Sequence, residues 1–215
     1  MPKPRKAAAI GKILLATLGL GLVVAGSYFL YTAVTVKKTA VQAPSAIAKA
    51  SVKKKTPQQK AAYTVPPLHP RELTIKKLGI DANILPMGAP DGTMAAPASA
   101  WDVGWYNQSA LPGSGEGALL LDGHVNDALD SPGIFYNLTA LVMGDAIGLE
   151  RGDGQKFTYR VVKVESVPLK NVDMSAMLAS SKKGKEGLNL ITCGGFYDER
   201  KRTYDHRILV FAVRV

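Results

Sequence analysis

At 215 residues the chain is long enough for one domain of moderate size plus additional segments. Its formal charge of +10 is unevenly placed: residues 1–62 hold eleven Lys/Arg and no Asp or Glu, whereas residues 63–215 hold sixteen basic against seventeen acidic residues, a net of −1. A folded part without basic excess argues against nucleic acid as a partner, and a single cysteine excludes an intramolecular disulfide and a CxxC metal site.

Residues 1–12 form a basic tail carrying Lys3, Arg5, Lys6 and Lys12. Ile13 to Val36 then runs 24 residues without a charge. As a helix this run reaches ~36 Å at about 1.5 Å per residue, enough to cross a hydrocarbon core of ~30 Å. Tyr28, Phe29 and Tyr31 gather toward its far end, where an aromatic belt would sit. The apolar region of a cleaved signal peptide is shorter, ~7–15 residues, so 13–36 reads as an uncleaved transmembrane anchor with membrane lipid as its partner. Lys37 and Lys38 follow at once, so positive charge flanks both ends and orients the span only weakly. The tail is placed in the cytoplasm and the larger body outside, because the chemistry below belongs there. Residues 37–62, rich in Ala, Lys, Val, Pro, Gln, Ser and Thr, lack a sustained apolar period and read as a basic disordered linker.

Residues 63–215 change character. Leu73-Thr74-Ile75 and the Ile80/Ala82/Ile84 alternation predict short strands, and Asp91-Gly92 is a hairpin turn signal. ALLLD, Ala118 to Asp122, is a continuous apolar run of buried-strand type behind a Gly/Pro-rich loop. Phe135, Leu138 and Leu141 fall at helical spacing; Gly144-Asp145 leads into a strand at Ala146 to Leu149; Arg151 to Gly154 suggests a further hairpin connection. Phe157 to Val164 is β-rich, Met174 to Leu178 fits one helical turn, and Leu188 to Thr192 and Ile208 to Val213 close the chain. About eight strands with one or two short helices predict an all-β domain, a closed barrel or a sandwich.

The candidate chemistry gathers at strand ends. Cys193 ends the apolar run LNLIT directly before Gly194-Gly195, where a thiol can reach a ligand. Arg207 opens the last apolar run. If the two runs pair as an antiparallel hairpin, Cys193 and Arg207 become neighbours, with 194–206 as the loop between them. Of three histidines, His69 precedes Pro70 and reads as a solvated surface residue. His206 adjoins Arg207 and so points to the opposite face of its strand. His124 follows ALLLD and Gly123, in the same exposed strand-end setting as Cys193. Asp122 shares a strand face with His124 by spacing but reads as a solvated strand-end carboxylate outside the catalytic set.

Taken together, LLLDGHV, LITCGG and the strand-opening arginine of RILVFAV resemble the sortases, membrane-anchored cysteine transpeptidases of Gram-positive-type cell envelopes. The resemblance covers about residues 70–215. VGWY, the GHV context, PGIFYNL and ITCGG look most like class F, with class E second. It implies a closed eight-stranded sortase-like barrel preceded by the transmembrane helix. It also implies His124, Cys193 and Arg207 as the catalytic set, with Thr192 helping to orient substrate.

In physical terms Cys193, as thiolate, would attack a peptide carbonyl and form a thioacyl-enzyme. His124 would protonate the leaving amine and then deprotonate the incoming nucleophile. Arg207, always charged, would stabilise the anionic oxygen or hold the substrate backbone, with the Gly194 N–H as a second donor. The implied partners are secreted proteins bearing an LPXTG-like C-terminal signal and a peptidoglycan-precursor amine, with water as the competing acceptor and no cofactor or metal. Residues 37–70 lack the DPF/DPW-type lid motif of pilus-building members. The alternative of a different class is a non-catalytic, membrane-tethered β-barrel that binds cell-wall peptides.

Overall fold

The computed structural model describes residues 56–90 and 92–215. The basic tail, the apolar run 13–36, most of the linker and Asp91 therefore lie outside the described residues. Among the described residues no helix is long and apolar enough to cross a membrane.

The strands are β1 (Pro70–Ile75), β2 (Ile80–Met87), β3 (Val103–Tyr106), β4 (Ala118–Asp122), β5 (Ala146–Arg151), β6 (Lys156–Pro168), β7 (Gly187–Asp198) and β8 (Thr203–Arg214). They close into a barrel in the order β1-β2-β3-β4-β7-β8-β6-β5. Among the described residues two short helices accompany them, α1 (Pro57–Ala62) and α2 (Met174–Leu178), with three 3-10 turns, one at Leu138–Ala140. Of the two architectures left open by the strand count, the closed eight-stranded barrel implied by the resemblance is the one observed.

Inward residues alternate with outward ones along each strand, as a barrel requires. Leu73, Ile75, Ile84, Val103, Trp105, Leu119, Leu121, Ile147, Leu188, Leu190 and Val210 fill the interior. ALLLD lacks alternation because both faces of β4 are covered. Leu119 and Leu121 enter the barrel, while Leu120 joins an outer cluster with Met177 of α2, Leu209 and Phe211. Helix α2 is held at both ends. Asp173 Oδ1 accepts from the N–H groups of Ser175 and Ala176 at 2.9 and 3.2 Å. Buried Asn189 donates to the carbonyls of Met177 and Ala179 at 3.0 and 3.1 Å. The glycine-rich loop before β4 is fastened to buried Glu186, whose Oε2 accepts from the N–H groups of Gly113 and Gly115 at 2.9 and 3.0 Å. Tyr159 donates its hydroxyl to the other oxygen.

Three expectations are corrected. Asp91-Gly92 does not join a hairpin: β2 and β3 run parallel, so residues 88–102 form a crossover, in which Gly92 (φ 73°) donates to Ala89 O at 3.1 Å. His69 is not a solvated residue. It is half-buried, edge-on to Trp105 with ring centroids 5.0 Å apart, and its carbonyl accepts from Gly152 N at 2.9 Å in the β5–β6 hairpin. The end of the segment read as disordered forms α1, through a reciprocal cap. Thr56 Oγ1 accepts from Gln59 N at 3.2 Å and Gln59 Oε1 accepts from Thr56 N at 2.9 Å. The sequence carries that signal in Thr56-Pro57-Gln58-Gln59, a capping box with proline at the first helical position.

Candidate active site

Cys193 and Arg207 are direct partners in the antiparallel β7–β8 ladder, so their side chains leave the same face of the sheet. Leu190 and Ile208 belong to the interior; alternation therefore puts Cys193 and Arg207 on the outer face. The segment between them is not the long loop expected. β7 continues to Asp198 and β8 begins at Thr203, leaving only residues 199–202 as the turn. The ladder survives the two glycines because it bulges between Gly194 and Tyr197. Gly195 takes φ 80° there, a conformation that suits glycine in a bulge. A Cβ on Gly194 would stand 2.8 Å from the Ile208 side chain. The pair of glycines thus answers to a bulge and a close packing contact.

His124 follows β4, which pairs in parallel with β7 up to Asp122↔Ile191. The ladder extends one step further, Gly123 N donating to Ile191 O at 3.4 Å. Two residues beyond the last pair lie His124 on one side and Cys193 on the other, so the adjoining strand ends carry both. Thr192 ties them: its hydroxyl donates to Gly123 O at 2.7 Å. With 4% of its surface exposed, Thr192 holds the histidine-bearing turn against β7. His124 Nε2 lies 2.7 Å from the carbonyl oxygen of Pro97, in the β2–β3 crossover. His206, opposite Gly194, is engaged elsewhere, Nδ1 lying 2.8 Å from Asp205 Oδ1.

The electrostatics work against a resting thiolate. Burial pushes the Cys193 thiol above its ordinary value, Arg207 pulls it down, and Asp122 adds to the upward push. Arg207 curls along its own strand, donating to the carbonyls of His206 and Tyr204 at 2.8 and 3.1 Å and to Thr203 Oγ1 at 3.2 Å. These bonds hold the guanidinium along β8, near enough for its charge to favour the thiolate. Tyr204 lies on the same rim, its hydroxyl accepting from Asn126 Nδ2 at 2.8 Å. Asp122 departs from its expected solvated setting. Its Oδ1 is buried with no hydrogen-bond partner, in the space left by the missing side chain of Gly104 and beside Met87 and Pro97. Burial raises this carboxyl to about 7.

Below Cys193 on the outer face, Ile191, Val167, Tyr106 and Met94 pack around the Leu120/Leu209 cluster. They offer an apolar surface beside a nucleophile and a fixed cation. Among the described residues no group of three or more His, Cys, Asp or Glu side chains converges as a metal site would require. Pro97 escaped the sequence reading because its contribution is a backbone carbonyl, which no residue type signals.

Residues 73–215 match the sortase domain family. The chain belongs to the sortase family. Sortases are cysteine transpeptidases, and this sortase carries a single cysteine, Cys193. Solved structures agree in fold. A sortase C-1 from Actinomyces oris is 23% identical with a TM-score of 0.54, the match covering 76% of this chain and 82% of that one. The lid mutant of sortase A from Corynebacterium diphtheriae is 25% identical with a TM-score of 0.53, covering 74% of each. Sortase C1 of Streptococcus agalactiae is 21% identical with a TM-score of 0.53, covering 71% of this sortase and 69% of that chain. No match is found among curated proteins.

Proposed function

We propose that this sortase cleaves an LPXTG-like sorting signal of secreted proteins through a thioacyl-enzyme on Cys193, and transfers the acyl group to a peptidoglycan-precursor amine or to water. The observation that carries the reading is the direct pairing Cys193↔Arg207, with the turn bearing His124 fastened to the residue beside the cysteine. Sγ attacks the scissile carbonyl carbon. Arg207 and the Gly194 N–H receive the oxyanion, and His124 gives its proton to the leaving amine as the C–N bond breaks. In the second half the incoming amine loses a proton to His124 and forms the new amide, releasing the thiolate. Because the resting thiol is held up by burial, the reactive form is a minority species. Substrate that brings hydrogen-bond donors to the sulfur would favour it.

Within the family, VGWY, LDGHV and ITCGG support class F, with class E second. The charge-free run 13–36 supports a single-pass membrane anchor with the barrel outside the cell. Protease added to wall-stripped cells should cut within 37–55; cleavage only after lysis would reverse the orientation.

The function is tested with the full chain in detergent and a panel of sorting-signal peptides, with and without amine acceptors. Expected are Cys193-dependent cleavage and a new amide product that grows with acceptor. Peptide binding without cleavage, on a correctly folded chain, would instead favour a tethered wall-peptide binder.

A further inference from the structure

The crossover 88–102 bears on the chemistry through one contact, His124 Nε2 to Pro97 O at 2.7 Å. A carbonyl oxygen can only accept, so Nε2 must carry a hydrogen in this arrangement. The contact joins two segments that are fastened to each other. Ile134 N donates to Ala100 O at 2.8 Å, and Phe135 N donates to His124 O at 2.9 Å. Within the crossover, Ala95 N donates to Gly88 O at 2.9 Å. The ring of buried Pro97 packs into the space over Gly104, 3.2 Å from where a Cβ would stand. Proline also has a fixed φ, which stiffens the backbone presenting this oxygen.

We infer that the Pro97 carbonyl is the positioning group for His124. It fixes the imidazole as the Nε2–H form, so that Nδ1 is the nitrogen that exchanges protons with substrate. The inference rests on the proposed function and adds to it the identity of the reacting nitrogen. In acylation Nδ1 takes the thiol proton as the Sγ–C bond forms, and that proton passes to the leaving nitrogen as the C–N bond breaks, leaving a neutral ring with hydrogen still on Nε2. In deacylation Nδ1 takes a proton from the incoming amine as the new C–N bond forms and the C–S bond breaks. Throughout, Nε2–H stays bonded to a dipole that stabilises the charged ring. This neutral acceptor does for the ring what a carboxylate does in a Ser-His-Asp triad. Neighbouring Asp122 is not in hydrogen-bond contact with the ring.

The full chain in detergent micelles, labelled with ¹⁵N-histidine, tests this. Only His69, His124 and His206 contribute signals, and single substitutions of His69 and His206 assign them. Expected for His124, read at a pH where the ring is neutral, is the Nε2–H form alone, with a slowly exchanging Nε2 proton. Pro97→Gly, which frees the carbonyl from its fixed direction, should abolish that slow exchange. It should lower kcat by about 10- to 100-fold, taking as guide the loss of the partner that orients a metal-bound imidazole, with little change in KM. Pro97→Ala retains the oxygen and should retain both the signal and most of the rate. A neutral His124 protonated on Nδ1, or a fast-exchanging Nε2 proton in the wild-type chain, would overturn the inference. So would wild-type turnover in Pro97→Gly after the signal is lost. The tautomer is read without substrate: an intact Nε2–H signal in a chain that never cleaves peptide would sink the proposed function and leave the assignment of the ring standing.

Discussion

Asp122→Asn isolates the cost of a buried carboxyl beside the nucleophile. Burial holds Asp122 at about 7, against an ordinary value of 3.8. Between those two values the folded chain binds more protons than the unfolded one. Stability from this group is therefore fully present below the unfolded value and lost as pH rises through the folded value. The difference is about 3 pH units, worth roughly 4 kcal/mol at pH 8 at about 1.36 kcal/mol per unit. At pH 5, where the folded carboxyl is still mostly protonated, the same reasoning gives about 2 kcal/mol. Asparagine is nearly isosteric and never ionises. The variant should be the more stable protein at both values, with its advantage growing by roughly 2 kcal/mol from pH 5 to pH 8. Urea unfolding at the two pH values, at matched ionic strength, measures this. A second readout is the thiol. Ionised Asp122 opposes the Cys193 thiolate, so iodoacetamide should modify the variant faster at pH 8. Equal pH dependence of stability in both proteins would refute the reasoning, because it would mean that Asp122 is solvated in solution.

Arg207→Ala should slow alkylation of Cys193 at pH 8, since the charge that favours the thiolate is removed; an unchanged rate would mean that the guanidinium does not act on the thiol. Arg207→Lys should cost peptide cleavage about 10²–10³-fold, the scale for one oxyanion donor; a loss under tenfold in steady-state assays would count against that role. His124→Ala should abolish cleavage in a folded chain, whereas His206→Ala, paired only with exposed Asp205, should leave substantial activity; the reverse order would redraw the site. Glu186→Ala should destabilise the barrel by about 3–5 kcal/mol, because it strands Arg214 and the donors of Tyr159, Gly113 and Gly115. Thermal unfolding with a loss under 1 kcal/mol would show that water replaces that carboxylate readily.

The sequence alone determined what depends on local pattern and residue type. Strand periodicity and turn residues specify the strand count, and three separated motifs specify the family. Apolar runs flanking Cys193 and Arg207 bring those two residues into register, because a hairpin constrains its own partners. The same local information misjudged residues 194–206. A bulge lets two glycines remain in a ladder, which becomes visible only in the register of β7 against β8, where Asp205 Oδ1 accepts from Phe196 N at 2.7 Å. Tertiary structure alone decided where Asp122, Thr192 and Pro97 act. Asp122 is buried because the crossover and Gly104 enclose it, not because of its neighbours in sequence. Thr192 is committed to Gly123, which lies 69 positions away. The oxygen that meets His124 belongs to a backbone 27 positions earlier. Strand periodicity is written in side chains one and two positions apart; the environment of an ionisable group is set by whatever the closed barrel brings against it.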